Sequence, residues 1–229
     1  MLDERLTLAA SLYEPCSLGA DIGTDHALLP CQLLEQGVCE RMILSDLSPK
    51  ALAHAEAEVE RRGLRDRVTL RCASGLAALD AACGCVSITG MGGRTIAEIL
   101  DRGRDRLQGA ALVLCAHTER PEVRACLERI GYRIEREEPC MTNGHAYIVW
   151  RAVPGKMRLS AMERLCGREL FDSASPMLAP FLHQQIETVE RRLDGLTRAR
   201  VPDREAIALA LAVRETLQRG SEKALHEDP

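Results

Sequence analysis

Aromatic side chains are scarce in this chain: one Trp, three Tyr and two Phe among 229 residues. Few groups are therefore available to stack on a nucleobase. Long apolar runs are also absent, which excludes a membrane-spanning helix. The opening Met1-Leu2-Asp3-Glu4-Arg5 lacks the basic-then-apolar layout of a signal peptide. A cytoplasmic protein with no membrane partner is expected. The ten cysteines contain no CxxC pair, so the usual zinc-ligand spacing is missing. Cys83-Gly-Cys85 is the one close pair, and it reads as small apolar filling beside a strand. Ten reduced thiols and no metal are expected. Lysine is nearly missing, with three residues against 27 arginines. Arginine fits phosphate bidentately, so local anion-binding patches remain open even at a net charge of −4. The charge is uneven: residues 1–150 hold 17 basic against 22 acidic side chains, and residues 151–229 hold 13 against 12.

What is present is an alternation of strand-like and helix-like segments over the first 150 residues. Apolar runs at Leu18 to Ile22, Arg41 to Ser45, Val68 to Cys72, Cys85 to Thr89 and Ala111 to Cys115 read as five strands. Between and around them lie helix-like stretches at Arg5 to Tyr13, Ala27 to Gln36, Pro49 to Arg62, Ile96 to Leu107 and Glu122 to Ile130. The pattern then changes. Tyr132 to Cys140 and His145 to Val153 are strand-like runs joined through Asn143-Gly144, the strongest short hairpin signal. Parallel βα units closed by an antiparallel hairpin predict a Rossmann-like α/β sheet of the class I methyltransferase type rather than a nicotinamide-binding one. Pro154-Gly155 marks a boundary, which gives a domain over 1–153 and a helical one over 154–229. In the latter, Leu182, Ile186, Val189, Leu193 and Leu196 follow steps of 4, 3, 4 and 3, and Pro202 separates them from a second stripe over Ile207 to Leu217. This spacing predicts an antiparallel, coiled-coil-like helical hairpin that projects from the sheet domain. Nothing in the sequence assigns the oligomeric state; a monomer is slightly favoured.

The candidate site begins at residues 20–30, Ala-Asp-Ile-Gly-Thr-Asp-His-Ala-Leu-Leu-Pro. Here a strand ends in a loop with one glycine, Gly23, bracketed by Asp21 and Asp25. A pyrophosphate needs G-x-G-x-x-G and bare backbone amides at a helix start. Two acids instead suit a cationic cofactor, such as S-adenosyl-L-methionine. Asp46 ends the second strand, 23 residues after Gly23, where an acid accepts hydrogen bonds from ribose hydroxyls. Ser74-Gly75 follows the third strand and Gly90-Met91-Gly92-Gly93 the fourth, the glycines allowing close approach of a ligand to the backbone. Asp21, Gly23, Thr24, Asp46, Leu47, Ser74, Gly75, Gly90 and Met91 are the expected cofactor contacts.

Arg5-Leu6, the 20–30 segment, Ile88-Thr-Gly-Met-Gly-Gly-Arg-Thr-Ile-Ala-Glu-Ile-Leu100 and the C-terminal helical hairpin together resemble the bacterial tRNA (adenine-N1)-methyltransferases of the TrmK type. The resemblance spans nearly the whole chain. It implies methylation of N1 of a D-loop adenosine, position 22 in tRNA numbering, with tRNA held partly by the helical hairpin. Several positions depart from the family pattern. Ala73-Ser74-Gly75 replaces Gly-Asp-Gly, Cys115-Ala116-His117 replaces Gln-Pro after strand five, Thr142-Asn143-Gly144-His145 replaces an acidic hairpin, and Leu28 replaces an aromatic.

With N1 as nucleophile, the ring becomes cationic after attack, and a nearby carboxylate stabilises it. Asp25 is the expected catalytic carboxylate. His26 is expected either to orient it or to be a half-buried histidine satisfied locally. Gly92, Gly93 and Arg94 are expected at the substrate, and Arg191, Arg192 and Arg198 on the RNA backbone. Stacking would fall to Tyr147, Tyr132 or Met91. A methyltransferase of another substrate, small molecule or protein, and a non-catalytic cofactor- or RNA-binding relative remain open as alternatives.

Overall fold

Seven strands share one sheet in the computed structural model, which describes residues 2–226. A first helix, α1 (Glu4–Ser11), leads into β1 (Cys16–Ile22), α2 (Leu28–Glu35), β2 (Cys39–Asp46), α3 (Pro49–Arg61) and β3 (Val68–Cys72). Then follow β4 (Cys85–Met91), α4 (Gly93–Gly103), β5 (Ala111–Ala116), α5 (Arg120–Ile130) and the hairpin strands β6 (Tyr132–Thr142) and β7 (His145–Pro154). Spatial order is β3-β2-β1-β4-β5-β7-β6. The pairs from β3 to β5 are parallel, and β7 pairs antiparallel with both β5 and β6. The order reverses between β1 and β4, so the chain leaves a crevice beyond their carboxyl ends, where open α/β sheets bind ligands.

The strands read as nearly continuous apolar runs because both faces are covered. Along β5, Leu112 and Leu114 point into one apolar cluster, while Val113 and Cys115 point into the other. The second cluster is closed by α1, α2 and α3 through Ala9, Leu33 and Val59. The β6–β7 turn carries Asn143 at φ 50° and Gly144 at φ 75°, the two positive angles that a tight hairpin turn requires and that these residue types tolerate.

The first cluster does not stop at the end of β7. It runs on through Met157, Leu159, Cys166 of α6 (Ala161–Cys166), Leu170, and Leu178, Phe181 and Leu182 of α7 (Leu178–Arg198) to Leu217 of α8 (Arg204–His226). Each such buried side chain contributes about 1.5–3 kcal/mol, so the base of the helical hairpin is anchored to the sheet. Residues 199–205 at its tip are all exposed. The seam of α7 falls where its spacing puts it: Ile186 and Val189 pack on the cluster, and Leu193 is buried. A buried polar knot reinforces the junction. Arg124 Nε donates to Glu137 Oε1 at 2.6 Å, Trp150 Nε1 donates to the same oxygen, and Leu170 N donates to Glu137 Oε2 at 3.2 Å. All ten cysteines are free thiols.

Candidate active site

At the end of β1 the chain turns sharply at Gly23, whose φ is +81° and whose absent Cβ would lie 2.0 Å from Met91 Cε. The positive φ favours glycine there, and a side chain would also have to displace the end of Met91 where the β1 and β4 loops meet. Two clefts of 430 Å³ each open on either side of it, both within the range of small-molecule sites.

The first cleft lies over β2 and β3 and is bounded by α4. Gly23, Ser45, Asp46, Leu47, Ser74, Gly75 and Met91 line it, joined by Thr95, Glu98 and Ile99 from α4. Ser45 Oγ is buried there without a hydrogen-bond partner among the described residues, as expected of a hydroxyl completed by a ligand. Asp46 has one carboxylate oxygen engaged, since Oδ1 accepts from Ser48 N at 2.7 Å. Helix α3 is capped instead by Ser48, whose Oγ accepts from Ala51 N. Asp46 is thus held at the rim with its second oxygen available to a diol. Leu47 is 68% exposed, an apolar side chain left beside the cleft.

The second cleft lies over β1, β4 and the end of β5. Asp21, Gly23, Thr24, Asp25, His26, Thr89, Gly90, Arg5 and His117 line it. Asp21 is buried, and burial pushes its carboxyl above the usual range even though Ser87 Oγ donates to Oδ1 at 2.5 Å. No arginine or lysine pairs with it among the described residues. A buried carboxyl of this kind accommodates a cationic ligand, and its charge is stabilised when one arrives. Asp25 is different, with a side chain 61% exposed. Its oxygens lie 3.3 Å from His26 Nε2 and 3.4 Å from His54 Nδ1, and the two imidazoles stack at 5.2 Å. The two rings thus flank the carboxylate on its solvent side. His26 is exposed rather than a half-buried core histidine. The ligand atoms of Asp25, His26 and His54 lie within 4.8 Å of one another, and all three residues face solvent.

A third opening, a groove of 410 Å³, continues from His117 between β7 and α7. Arg120, His145, Tyr147, Gln184, Gln185, Thr188 and Arg191 line it, without a single acid. Arg120 is the deepest. Its guanidinium donates to Gln185 Oε1 and Ala146 O at 2.9 Å each and covers the Phe181 ring. Burial lowers its pKa to about 10, so it stays charged at neutral pH.

The other expected substrate residues lie elsewhere. Gly93 packs against the 118–119 turn, where a Cβ would meet Glu119 O at 2.2 Å, and neither it nor Gly92 lines any of these three openings. Arg94 pairs with Glu119 at 3.3 Å. Arg191 lines the groove, but Arg192 lines a separate 180 Å³ cavity under the helical hairpin. Arg198 pairs with Asp194 near the tip. Tyr132 is buried with its hydroxyl donating to Ala110 O at 2.9 Å, so of the two tyrosines proposed for stacking only Tyr147 reaches an opening. Arg5, His117 and Arg120 line these openings and His54 touches Asp25, placements that local sequence pattern does not give because distant segments supply their partners.

These features match known proteins. A family model described as a methyltransferase domain covers residues 2–150. The tRNA (adenine(22)-N(1))-methyltransferase of Bacillus subtilis (strain 168) is 30% identical over 190 residues, which are 82% of this chain and 77% of that protein. The chain belongs to this methyltransferase family. Among solved structures, Streptococcus pneumoniae Sp1610 superposes with a TM-score of 0.87 at 28% identity, over 96% of this chain and all of that one. The same protein in complex with S-adenosyl-L-methionine gives 0.84 at 28% identity, with the same coverage. Bacillus subtilis TrmK, at 23% identity and a TM-score of 0.84, shares the fold over 96% of this chain and 99% of that one. Family membership thus accounts for the sheet order, the antiparallel hairpin and the long helical pair, α7 and α8, at the C-terminal end.

Proposed function

We propose that this chain transfers a methyl group from S-adenosyl-L-methionine to N1 of adenosine 22 in the D-loop of tRNA. The observation that carries the reading is the pair of clefts meeting at Gly23, one lined for a nucleoside and the other lined by the buried Asp21 and the histidine-flanked Asp25.

The cofactor, when bound, supplies an electrophilic methyl on a sulfonium, which leaves by in-line displacement as the S–C bond breaks and the N1–C bond forms. The protein positions its halves. Asp46 would accept from the ribose hydroxyls, Ser45 and Ser74 would offer hydroxyls to the nucleoside, and the buried Asp21 carboxylate would meet the positive charge of the ammonium or sulfonium. Ser74 stands where the family pattern has an acid, so its contribution is a neutral hydrogen bond of about 0.5–1.5 kcal/mol.

Adenine N1 carries its lone pair in the neutral ring, so the attack needs no prior deprotonation. Positive charge builds on the ring as the new bond forms. A carboxylate held ready beside that charge lowers the barrier without reorganising. Asp25 fills this role, flanked by His26 and His54. The target must leave its stack to reach it, and the acid-free groove carrying Arg120 and Arg191 suits the adjoining RNA backbone. Titration of the purified chain with S-adenosyl-L-methionine, then single-turnover methylation of unmodified tRNA with mapping of the modified base, tests the reading. Label confined to N1 of adenosine 22 is expected. Label in a free metabolite or a protein, with none in tRNA, refutes it.

A further inference from the structure

His117 sits where the second cleft meets the groove, and it lines both. Its backbone is fixed, since His117 N donates to Met91 O at 2.9 Å and ties the end of β5 to the β4 loop. Its ring is fixed as well. Arg5 Nη1 lies 3.1 Å from His117 Nε2. A guanidinium can only donate, so Nε2 accepts and the imidazole proton resides on Nδ1. Arg5 is itself held, with Nη2 donating to Asp3 Oδ2 at 3.3 Å and its guanidinium 5.6 Å from the centre of the Tyr147 ring. Tyr147 in turn meets His117 edge to face at 5.5 Å. Three segments far apart in the chain thus converge to hold one neutral imidazole in one tautomer. Nδ1–H has no hydrogen-bond partner among the described residues.

We propose that His117, locked by Arg5 as a neutral Nδ1–H donor, hydrogen-bonds a ring nitrogen of the target purine, N3 or N7, and so sets the base with N1 toward the methyl group. This rests on the tRNA reading above and adds to it a substrate-reading residue and a positioning residue, Arg5. N1 is reserved for attack and N6 is a donor, so N3 and N7 are the ring acceptors that such a donor can meet. A pyrimidine lacks both.

The arrangement has a pH signature. Burial and the neighbouring Arg5 hold the His117 pKa below its ordinary value, against a smaller opposing pull from Asp3. Tyr147 and His145 from β7 and Arg120 from α5 share the groove it lines and supply no negative charge, while the second cleft brings Asp3, Asp21 and Asp25, of which Asp3 exerts the opposing pull. A protonated ring would turn an Nε2–H onto the guanidinium. Nδ1–H persists in the imidazolium, so what acid removes, below the ordinary histidine value near 6.5, is the Arg5 contact that orients the ring and not the donor itself.

The test is single-turnover methylation, at saturating cofactor, of tRNA carrying 3-deazaadenosine or 7-deazaadenosine at position 22. One of the two substitutions is expected to slow wild-type transfer about tenfold, the loss of one hydrogen bond. With His117→Leu the rate on normal tRNA should fall by a similar factor, and the deaza penalty should vanish. His117→Asn, which can place an amide N–H at the Nδ1 position, should retain the penalty. Arg5→Met should weaken the deaza penalty at neutral pH, because the unlocked ring then samples both tautomers, an effect that a purely structural role would not produce. If wild type is insensitive to both substitutions, or if His117→Leu keeps the deaza penalty, the inference is overturned. If wild type does not methylate normal tRNA at all, it is the functional reading itself that has failed.

Discussion

Replacing Glu137 by alanine should destabilise the protein more than any surface change, and the size can be worked from its contacts. The Arg124 and Glu137 side chains are 1% and 0% exposed. Removing the carboxylate leaves a buried guanidinium with only the Arg164 and Leu165 carbonyls, a loss of about 3–5 kcal/mol for one partner of a buried pair. Trp150 Nε1–H and the Leu170 amide lose their acceptor too, at about 1–3 kcal/mol for each stranded donor. These penalties share one relaxing site and do not simply add, so about 4 kcal/mol is the floor. For a chain of this size each kcal/mol moves Tm by about 2–4 °C, which predicts a fall of about 8–16 °C. Thermal unfolding followed by circular dichroism reads it directly. The double variant Arg124→Met, Glu137→Leu removes both charges together and should recover the guanidinium share of the loss, while Trp150 Nε1–H and the Leu170 amide stay unpaired. A single-variant fall below about 3 °C, or a double variant no better than the single, would refute the reasoning that this knot anchors the hairpin to the sheet.

Other outcomes follow from the same geometry. Gly23→Ala sets a methyl group against Met91 and forces a left-handed residue costing about 1–2 kcal/mol; calorimetry should show cofactor affinity falling at least tenfold with the fold retained, and unchanged affinity would remove Gly23 from the site. Asp25→Asn should lower the single-turnover rate 10²-fold or more while cofactor affinity changes less than threefold, and a normal rate would end its role as the stabilising carboxylate. Cys16, hydrogen-bonded to Cys39 across paired strands at 3.5 Å, has its thiol lowered to about 7. Because the pKa is lowered, its thiolate forms as pH rises through 7, so alkylation followed by peptide mass spectrometry should find Cys16 labelled well before the buried Cys85 and Cys115, which burial pushes upward.

Much of the fold was legible because it depends on local signals. The apolar runs of β1, β2, β4 and β5 predict buried parallel strands, and the parallel sheet covers both their faces. Asn143-Gly144 predicts the hairpin, and both residues take the positive φ angles that the signal implies. The spacing of Leu182, Ile186, Val189 and Leu193 predicts a one-faced helix, which α7 is. Local pattern could not say where that helix goes. Its base shares the core of the sheet, because Phe181 and Leu182 extend the apolar stripe to the face that Trp150 and Ile148 leave open.

At the site, the loop acids and glycines were readable because each follows a strand whose end must lie at the same sheet edge. The Arg5–His117 contact joins residues 112 positions apart, and His54 reaches Asp25 from the middle of α3. No window of sequence holds such pairs. Arginine identity was equally uninformative about direction: Arg191 and Arg192 are adjacent, so a helix turns them about 100° apart, and only Arg191 meets the groove. Gly93 reads as a ligand-approach glycine but serves a backbone crossing at Glu119, a contact that only the tertiary structure reveals.

Incubating the purified chain with S-adenosyl-L-methionine and an unmodified tRNA transcript, then locating the product by nuclease digestion and mass spectrometry, reads the methyl transfer itself. One N1-methyladenosine is expected, at position 22, and none in a transcript with guanosine at that position. Methylation at another nucleotide, or cofactor binding without any transfer to tRNA, would contradict the proposed activity.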